Sequence, residues 1–321
     1  MDPRIVFVTD FPVAADRARE MAPSGFELAV VPARSAEYVE AMKDAEYLVG
    51  FVDGLVDDEL FAAGPNLKLI QLLSAGYDKA DINAARKAGV PICNNGGANS
   101  VAVSEHALLL MLAVSRQLVY QHRTVTAGNW RGNSTPELHE LRNRTLGIIG
   151  LGTIGKKTAR LATAFGMEIL YYDIARLTED QEDSLGVRFR LLRELLRESD
   201  VVTLHTPLNA STRHLIGAEE LALMKETAII VNTARGPVID ETALYEALSS
   251  GKIAAAGLDV FDQEPPEQDN PLFGLDNVIL TAHMAGPTYE SNKARVRNAF
   301  DNVQRVARSS APLWVIPELE N

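Results

Sequence analysis

Short β-branched runs alternate with amphipathic segments along this chain, twice over, and that alternation restricts the fold more than any other feature. RIVFV (4–8), ELAVV (27–31), EYLVGF (46–51), KLIQLLS (68–74) and VPIC (90–93) read as strands, with helical patterns such as SAEYVEAM (35–42) and ADINAARKAG (80–89) between them. A second series begins near residue 145: TLGIIG (145–150), EILYYD (168–173), DVVTLH (200–205), AIIVNT (228–233), AAAGLDV (254–260) and NVILTA (277–282). Strands that alternate with helices predict parallel sheets. Runs rich in Ile, Val and Leu without a polar face fit sheets covered on both sides. The expected class is α/β with two domains, which suits a chain of 321 residues. A single helix is expected over ANSVAVSEHALLLMLAVSRQ (98–117), capped by Ser100 and passing from one domain to the other. A last helix is expected over 288–309, and the following PLWVIPEL is expected to return to the first domain.

Composition narrows the partners. With 31 basic and 43 acidic residues, a net charge of −12 and no basic block, the chain is not built for nucleic acid or an anionic membrane surface. An anionic ligand must be held by a few placed donors. Cys93 is the single cysteine, so no intrachain disulfide forms, and the opening MDPRIVFVTDFP lacks the basic-then-apolar order of a signal peptide. ALLLMLAV (107–114) is too short to cross a bilayer. A cytoplasmic protein is expected, with no membrane partner and no metal.

Between the strand at 145–149 and the helical pattern KKTARLATAFG, the segment GLGTIG sets Gly150, Gly152 and Gly155 at G-x-G-x-x-G spacing. The first glycine permits the tight turn, the second lets a pyrophosphate approach the backbone, and the third lets helix pack on strand. The helix N-terminus offers its free N–H groups to the phosphates. Asp173 ends the next strand 21 residues after Gly152, near the spacing at which a carboxylate accepts hydrogen bonds from the adenosine ribose. That carboxylate repels a 2′-phosphate, which favours NAD over NADP. Three further strand ends carry polar residues: Arg235 after AIIVNTA, Glu264 after GLDVFDQ and His283 after VILTA. Together they supply a cation, a carboxylate and an acid–base group, the set a carbonyl reduction requires.

GANSVAVSEHALLLMLA (97–113), TLGIIGLGTIG (145–155), YYD (171–173), HTPLNAST (205–212), VNTARGPVIDETAL (231–244), AGLDVFDQEPP (256–266) and TAHMAG (281–286) occur in the order and spacing of the D-isomer-specific 2-hydroxyacid dehydrogenases, and the sequence resembles that family over nearly its whole length. The resemblance implies a Rossmann NAD-binding domain (100–287) inserted into a flavodoxin-like substrate domain (1–99 plus 288–321). It also implies hydride transfer between NADH and a small anionic 2-oxo or D-2-hydroxy acid. Arg235 would then hold the substrate carboxylate and polarise its carbonyl. His283 would exchange the proton, and Glu264 would orient the imidazole and favour its charged form. The loop holding Ser74, Ala75, Gly76 and Tyr77 would bind the substrate carboxylate through backbone N–H groups. Thr153 and Ile154 would lie on the pyrophosphate, and His205, Thr206, Pro207 and Thr212 would flank the adenosine. Thr233, Ala234, Arg235, Asp259, His283, Ala285 and Gly286 would face the nicotinamide, with Val103 behind its ring. Trp130, in AGNWRG, lies where the family makes dimer contacts, so a homodimer is expected.

Some positions depart from the family pattern. Asn95 and Gly97 stand where many relatives carry Ala-Pro, and Ala282 stands where proline is common. Formate dehydrogenases in the superfamily carry glutamine at the place of Glu264, which disfavours that activity. In a chain of 321 residues, the C-terminal regulatory domain of many phosphoglycerate dehydrogenases is not expected. Two other readings share the triad: an NAD-binding corepressor that assembles with peptide partners, and a phosphite dehydrogenase.

Overall fold

The computed structural model describes residues 2–131 and 136–320, and the chain divides into two compact units. Unit 1 comprises Met1–Asn99 and Pro287–Asn321, and unit 2 comprises Ser100–Gly286.

Unit 1 runs β1 (Arg4–Val8), α1 (Pro12–Met21), β2 (Glu27–Val31), α2 (Ala36–Met42), β3 (Ala45–Gly50), α3 (Asp58–Ala63), β4 (Leu69–Leu72), α4 (Ile82–Ala88) and β5 (Ile92–Cys93). All five strands are parallel, in the order β2-β1-β3-β4-β5. Three of the helices start on side-chain caps: Ser35 accepts from Tyr38 N–H, Asp57 from Leu60 N–H and Asp81 from Ala84 N–H. Successive strand residues point to opposite faces, and both faces are apolar. Val6, Val8, Leu48, Ile70 and Leu72 pack into one core, while Ile5, Phe7, Tyr47, Val49 and Leu69 pack into the other. This is why the strand sequences lack a polar alternation.

Unit 2 opens with α5 (Ser100–Ser115) and α6 (Leu118–Thr126). The helix expected over 98–117 is present as α5, which lies wholly in unit 2; Gln117 then takes a left-handed φ of 52°, and α6 leaves at 60° to α5. The unit continues through β6 (Thr145–Ile149), α7 (Thr153–Ala164), β7 (Glu168–Tyr172), α8 (Glu179–Leu185), β8 (Val187–Phe189), α9 (Leu192–Glu198) and β9 (Val201–Leu204). After these come α10 (Ala218–Leu223), β10 (Ile229–Asn232), α11 (Glu241–Ser249), β11 (Ala255–Leu258) and β12 (Val278–Leu280). Its seven strands are parallel in the order β12-β11-β10-β9-β6-β7-β8. The order reverses between β6 and β9, and ligands of open α/β sheets gather outside the carboxyl ends of the strands at such a point.

The chain then returns to unit 1 as α12 (Tyr289–Ala307), whose Val296, Ala299, Phe300 and Val303 join the second core of that unit. Val315 pairs antiparallel with Cys93, and Ile316 N–H donates to the Ile92 carbonyl at 3.0 Å. Among the described residues no single helix is long and apolar enough to cross a membrane, and no cluster of three His, Cys, Asp or Glu could hold a metal ion.

Candidate active site

The glycine loop sits at the switch point of unit 2. Gly150 leaves β6 at φ 93°, and a Cβ there would lie 2.8 Å from the His205 backbone carbonyl. A Cβ on Gly155 would lie 2.2 Å from the Gly150 carbonyl oxygen, so only glycine lets α7 pack this close to the turn. At Gly152 a Cβ would meet nothing within 4 Å. That open ground lies at the start of α7, which carries no side-chain cap, so the N–H groups of Thr153 and Ile154 remain available for an anion.

Asp173 follows β7 and is tied to the same loop. Its Oδ2 accepts the Leu151 N–H at 2.7 Å, and its Oδ1 accepts that of Ala175 at 3.0 Å. Beyond β9 and β10 lie three buried polar atoms without a partner: His205 Nδ1, Thr206 Oγ1 and Thr233 Oγ1. Burial pushes His205 down to about 3, so the ring is neutral at physiological pH. Thr212 Oγ1 donates to the Pro207 carbonyl at 2.7 Å and closes the loop after β9. Val103 is buried on α5. An open helix start, an anchored ribose-type acid and orphaned polar atoms beside the same strand ends form a set that fits a dinucleotide.

The catalytic candidates occupy three neighbouring strand ends. After β10, the Asn232 side chain donates to the Arg235 carbonyl at 2.9 Å and accepts the Ala234 N–H at 3.0 Å, which fixes the backbone turn. Arg235 Nη1 donates to the Ala234 carbonyl at 2.8 Å. The next residue permits a close approach: a Cβ on Gly236 would lie 2.0 Å from the Phe261 backbone, so the Arg235 turn packs directly on the loop that carries Glu264.

His283 Nδ1 lies 2.7 Å from Glu264 Oε2, and Glu264 Oε1 accepts the Phe261 N–H at 3.1 Å. Burial would raise the Glu264 carboxyl. The hydrogen bond and charge of His283, the Phe261 N–H and the Arg235 charge outweigh it and hold the group below the ordinary glutamate value. The pair lines a cavity of about 540 Å³ whose other walls include Phe261, Pro265, Pro266 and Phe273.

Asp259 does something its place in the sequence does not disclose. It is 0% exposed, and its carboxylate accepts from Thr281 Oγ1 at 2.5 Å, Met284 N–H at 2.8 Å and Ala285 N–H at 2.8 Å. Its backbone carbonyl accepts the His283 N–H at 2.8 Å. His106 Nε2 lies 3.0 Å from Thr281 Oγ1 and 3.6 Å from Asp259 Oδ1. Asp259 thus fastens the loop from Thr281 to Ala285, next to buried Gly286, and holds His283 at its φ of 53°.

In unit 1 the loop Ser74–Tyr77 follows β4. Ser74 Oγ donates to the Gly76 carbonyl at 2.7 Å, and Asn95 N–H donates to the Ser74 carbonyl at 3.0 Å. Asn95 is fully enclosed, its Nδ2 donating to Asn99 Oδ1 at 3.1 Å and its Oδ1 accepting the Gly97 N–H at 3.0 Å. Gln71 and Asn302 extend this amide network, with Asn302 Nδ2 donating to Gln71 Oε1 at 2.7 Å. Tyr77 OH donates to Glu318 at 3.0 Å, and burial together with Glu318 pushes the phenol up to about 12. Ala75 and Gly76 lie at intermediate exposure in the loop. The polar Gln71 inside an apolar strand and the paired asparagines of NNGGANS were the available signals for this network; its members Asn298 and Asn302, on α12, lie more than two hundred positions further on.

Comparison with known proteins adds an independent line. The family profile described as "D-isomer specific 2-hydroxyacid dehydrogenase, NAD binding domain" matches residues 108–285. A glyoxylate reductase of Korarchaeum cryptofilum is 39% identical over 319 residues, covering 97% of this chain and 95% of its own. A D-3-phosphoglycerate dehydrogenase of Methanocaldococcus jannaschii is 42% identical over 273 residues, which make up 85% of this chain and 52% of that longer protein. The crystal structure of a glyoxylate reductase from Paecilomyes thermophila superposes with a TM-score of 0.89 at 35% identity, with full coverage of both chains.

Proposed function

The chain belongs to the D-isomer-specific 2-hydroxyacid dehydrogenase family, and from that premise we propose that it reduces a small 2-oxo acid to its D-2-hydroxy acid, or runs the reverse oxidation, with NAD as cofactor. The observation that carries this reading is the 2.7 Å His283–Glu264 pair standing with Arg235 on the same sheet edge as the glycine loop.

NADH supplies the hydride to the carbonyl carbon when bound. Arg235 pairs with the substrate carboxylate and polarises the adjacent carbonyl, a double task that suits a planar guanidinium. His283 donates the Nε2 proton to the carbonyl oxygen, so hydride and proton together convert C=O to CH–OH. Glu264 accepts from Nδ1–H and stabilises the imidazolium before transfer. In unit 1, the loop Ser74–Tyr77 offers backbone N–H groups for a carboxylate. Asp173, fixed by the Leu151 N–H, reads the ribose hydroxyls and selects NAD over NADP.

A homodimer in the cytoplasm completes the reading. Leu109, Leu118, Val119, Tyr120 and Val125 are exposed on α5 and α6, with Trp130 76% exposed beyond them, and a monomer would leave this apolar band in water. Light scattering that returns the mass of one chain would reject the dimer.

The enzymatic test is NADH and NADPH oxidation with a panel of 2-oxo acids. Turnover with NADH is expected, with His283→Ala and Arg235→Ala each lowering kcat/KM by about 10²-fold or more. Cofactor binding without turnover of any acid would instead favour the corepressor reading, and oxidation of phosphite in its place would favour the third.

A further inference from the structure

Within unit 2, α5 carries an imidazole to the carboxyl end of the sheet for which the chemistry above has no use. The His106 side chain is 15% exposed, and its Nε2 lies 3.0 Å from Thr281 Oγ1 and 3.6 Å from Asp259 Oδ1. Its reach depends on a close approach of helix to strand. Leu110 lies one turn further along α5 on the same face, and a Cβ on Gly257 of β11 would lie 2.9 Å from the Leu110 Cβ. Glycine at this point lets α5 settle on β11, with His106 beside Asp259 at the end of the strand. Asp259, Thr281, His283 and Glu264 belong to the same unit.

The direction of each hydrogen bond follows from its acceptor. Asp259 is fully buried, and its Oδ1 and Oδ2 accept the N–H groups of Met284 and Ala285, each at 2.8 Å. The Thr281 hydroxyl therefore gives its hydrogen to Asp259 Oδ1 and turns an oxygen lone pair toward His106. Nε2 must carry the hydrogen of that contact. The order of donation is His106 to Thr281 to Asp259, and donors linked in this way strengthen one another in a buried site. The chain ends on the loop that carries His283. The Asp259 carbonyl accepts the His283 N–H at 2.8 Å, and His283 holds a φ of 53°, which a residue other than glycine keeps only where its surroundings impose it.

We propose that His106 is a positioning residue for His283: by donating from Nε2 it orients the Thr281 hydroxyl onto Asp259, and so fixes the loop Thr281–Ala285 with the His283 ring against Glu264. The inference rests on the reading of this chain as a 2-oxo acid reductase in which His283 exchanges the proton.

The test compares the full-length chain with His106→Gln, His106→Asn and His106→Leu. A glutamine amide nitrogen can take the place of Nε2, an asparagine amide reaches only the place of Nδ1, and leucine donates nothing. NADH oxidation is followed with glyoxylate, hydroxypyruvate, pyruvate and phosphohydroxypyruvate, and the variants are compared on the acid that wild type reduces fastest. His106→Leu and His106→Asn are expected to lower kcat by about tenfold or more, while the dissociation constant for NADH stays within about threefold. His106→Gln is expected to keep kcat within about threefold of wild type, which ties the effect to a donor at Nε2 and carries the test if the leucine variant does not fold. Equal loss in all three variants, kcat retained in all three, or a fall in NADH affinity as large as the fall in kcat would overturn the role of His106 while leaving the reductase reading intact. If wild type reduces none of the acids, the reductase reading itself fails and this inference falls with it.

Discussion

Glu264 accepts two hydrogen bonds, from His283 Nδ1 at 2.7 Å and from the Phe261 N–H at 3.1 Å. Because its pKa is held below the ordinary glutamate value, its contribution is fully present above the unfolded value and is lost as pH falls through the folded one. Replacing it by glutamine keeps the hydrogen-bond geometry and removes the charge. The imidazolium then loses its nearest stabilising anion, so Glu264→Gln should lower kcat/KM for the reduction by about tenfold, and the fall in wild-type kcat/KM as Glu264 protonates at acid pH should be absent from the variant. An acid limb that persists unchanged in Glu264→Gln would show that it does not report this carboxylate. Arg235, Glu264 and His283 were legible in the sequence because each follows an apolar run that ends at the same edge of a parallel sheet. The work of Asp259 was not legible, since an acid at a strand end looks alike in sequence whether it faces a ligand or, as here, three donors of the adjoining loop.

At the scale of elements, the alternation of strands and helices was legible, whereas two short elements were not. The start of α6 after Arg116–Gln117 has no glycine or proline to mark it, and β8 is a three-residue strand at the sheet edge. The glycines of the cofactor turn also separate once their surroundings are known. Gly152 has open space at its Cβ position, and Gly155 has the Gly150 carbonyl at 2.2 Å. Gly152→Ala should therefore keep the thermal midpoint and weaken NADH binding, because the methyl occupies the approach to the helix N-terminus. Gly155→Ala should lower the midpoint by several degrees, since backbone rather than a flexible side chain must yield. Gly236→Ala belongs to the same class, with backbone at 2.0 Å, and should lower kcat/KM by about 10²-fold by displacing the Arg235 turn from the Glu264 loop. Thermal scans and NADH titrations on the three variants check this; equal behaviour of Gly152→Ala and Gly155→Ala would contradict it.

For the whole molecule, the consequence of the chain's path is a difference in self-sufficiency between the units. Every member of the two cores of unit 2 lies between residues 107 and 272, inside one continuous stretch. The cores of unit 1 are completed only by residues that follow unit 2: Val296, Ala299, Phe300 and Val303 from α12, and Ile316 from the tail. At about 1.5–3 kcal/mol for each large apolar side chain buried, Val296, Phe300, Val303 and Ile316 contribute roughly 6–12 kcal/mol, comparable with the net stability of a domain of this size. The C-terminal strand-like residues hinted at this return in the sequence, but their partner could not be read there, because Cys93 and Val315 meet across more than two hundred positions. A chain ended after Gly286 should therefore lose the fold of unit 1 while unit 2 keeps its sheet and its affinity for NADH. Limited proteolysis should degrade residues 1–99 and leave a resistant fragment beginning near Ser100, and that fragment should bind NADH with a dissociation constant within about tenfold of the full chain. Protection of the N-terminal segment in the truncated chain would show that α12 and the tail are dispensable to unit 1, and loss of NADH binding by the fragment would show that unit 2 does not stand alone.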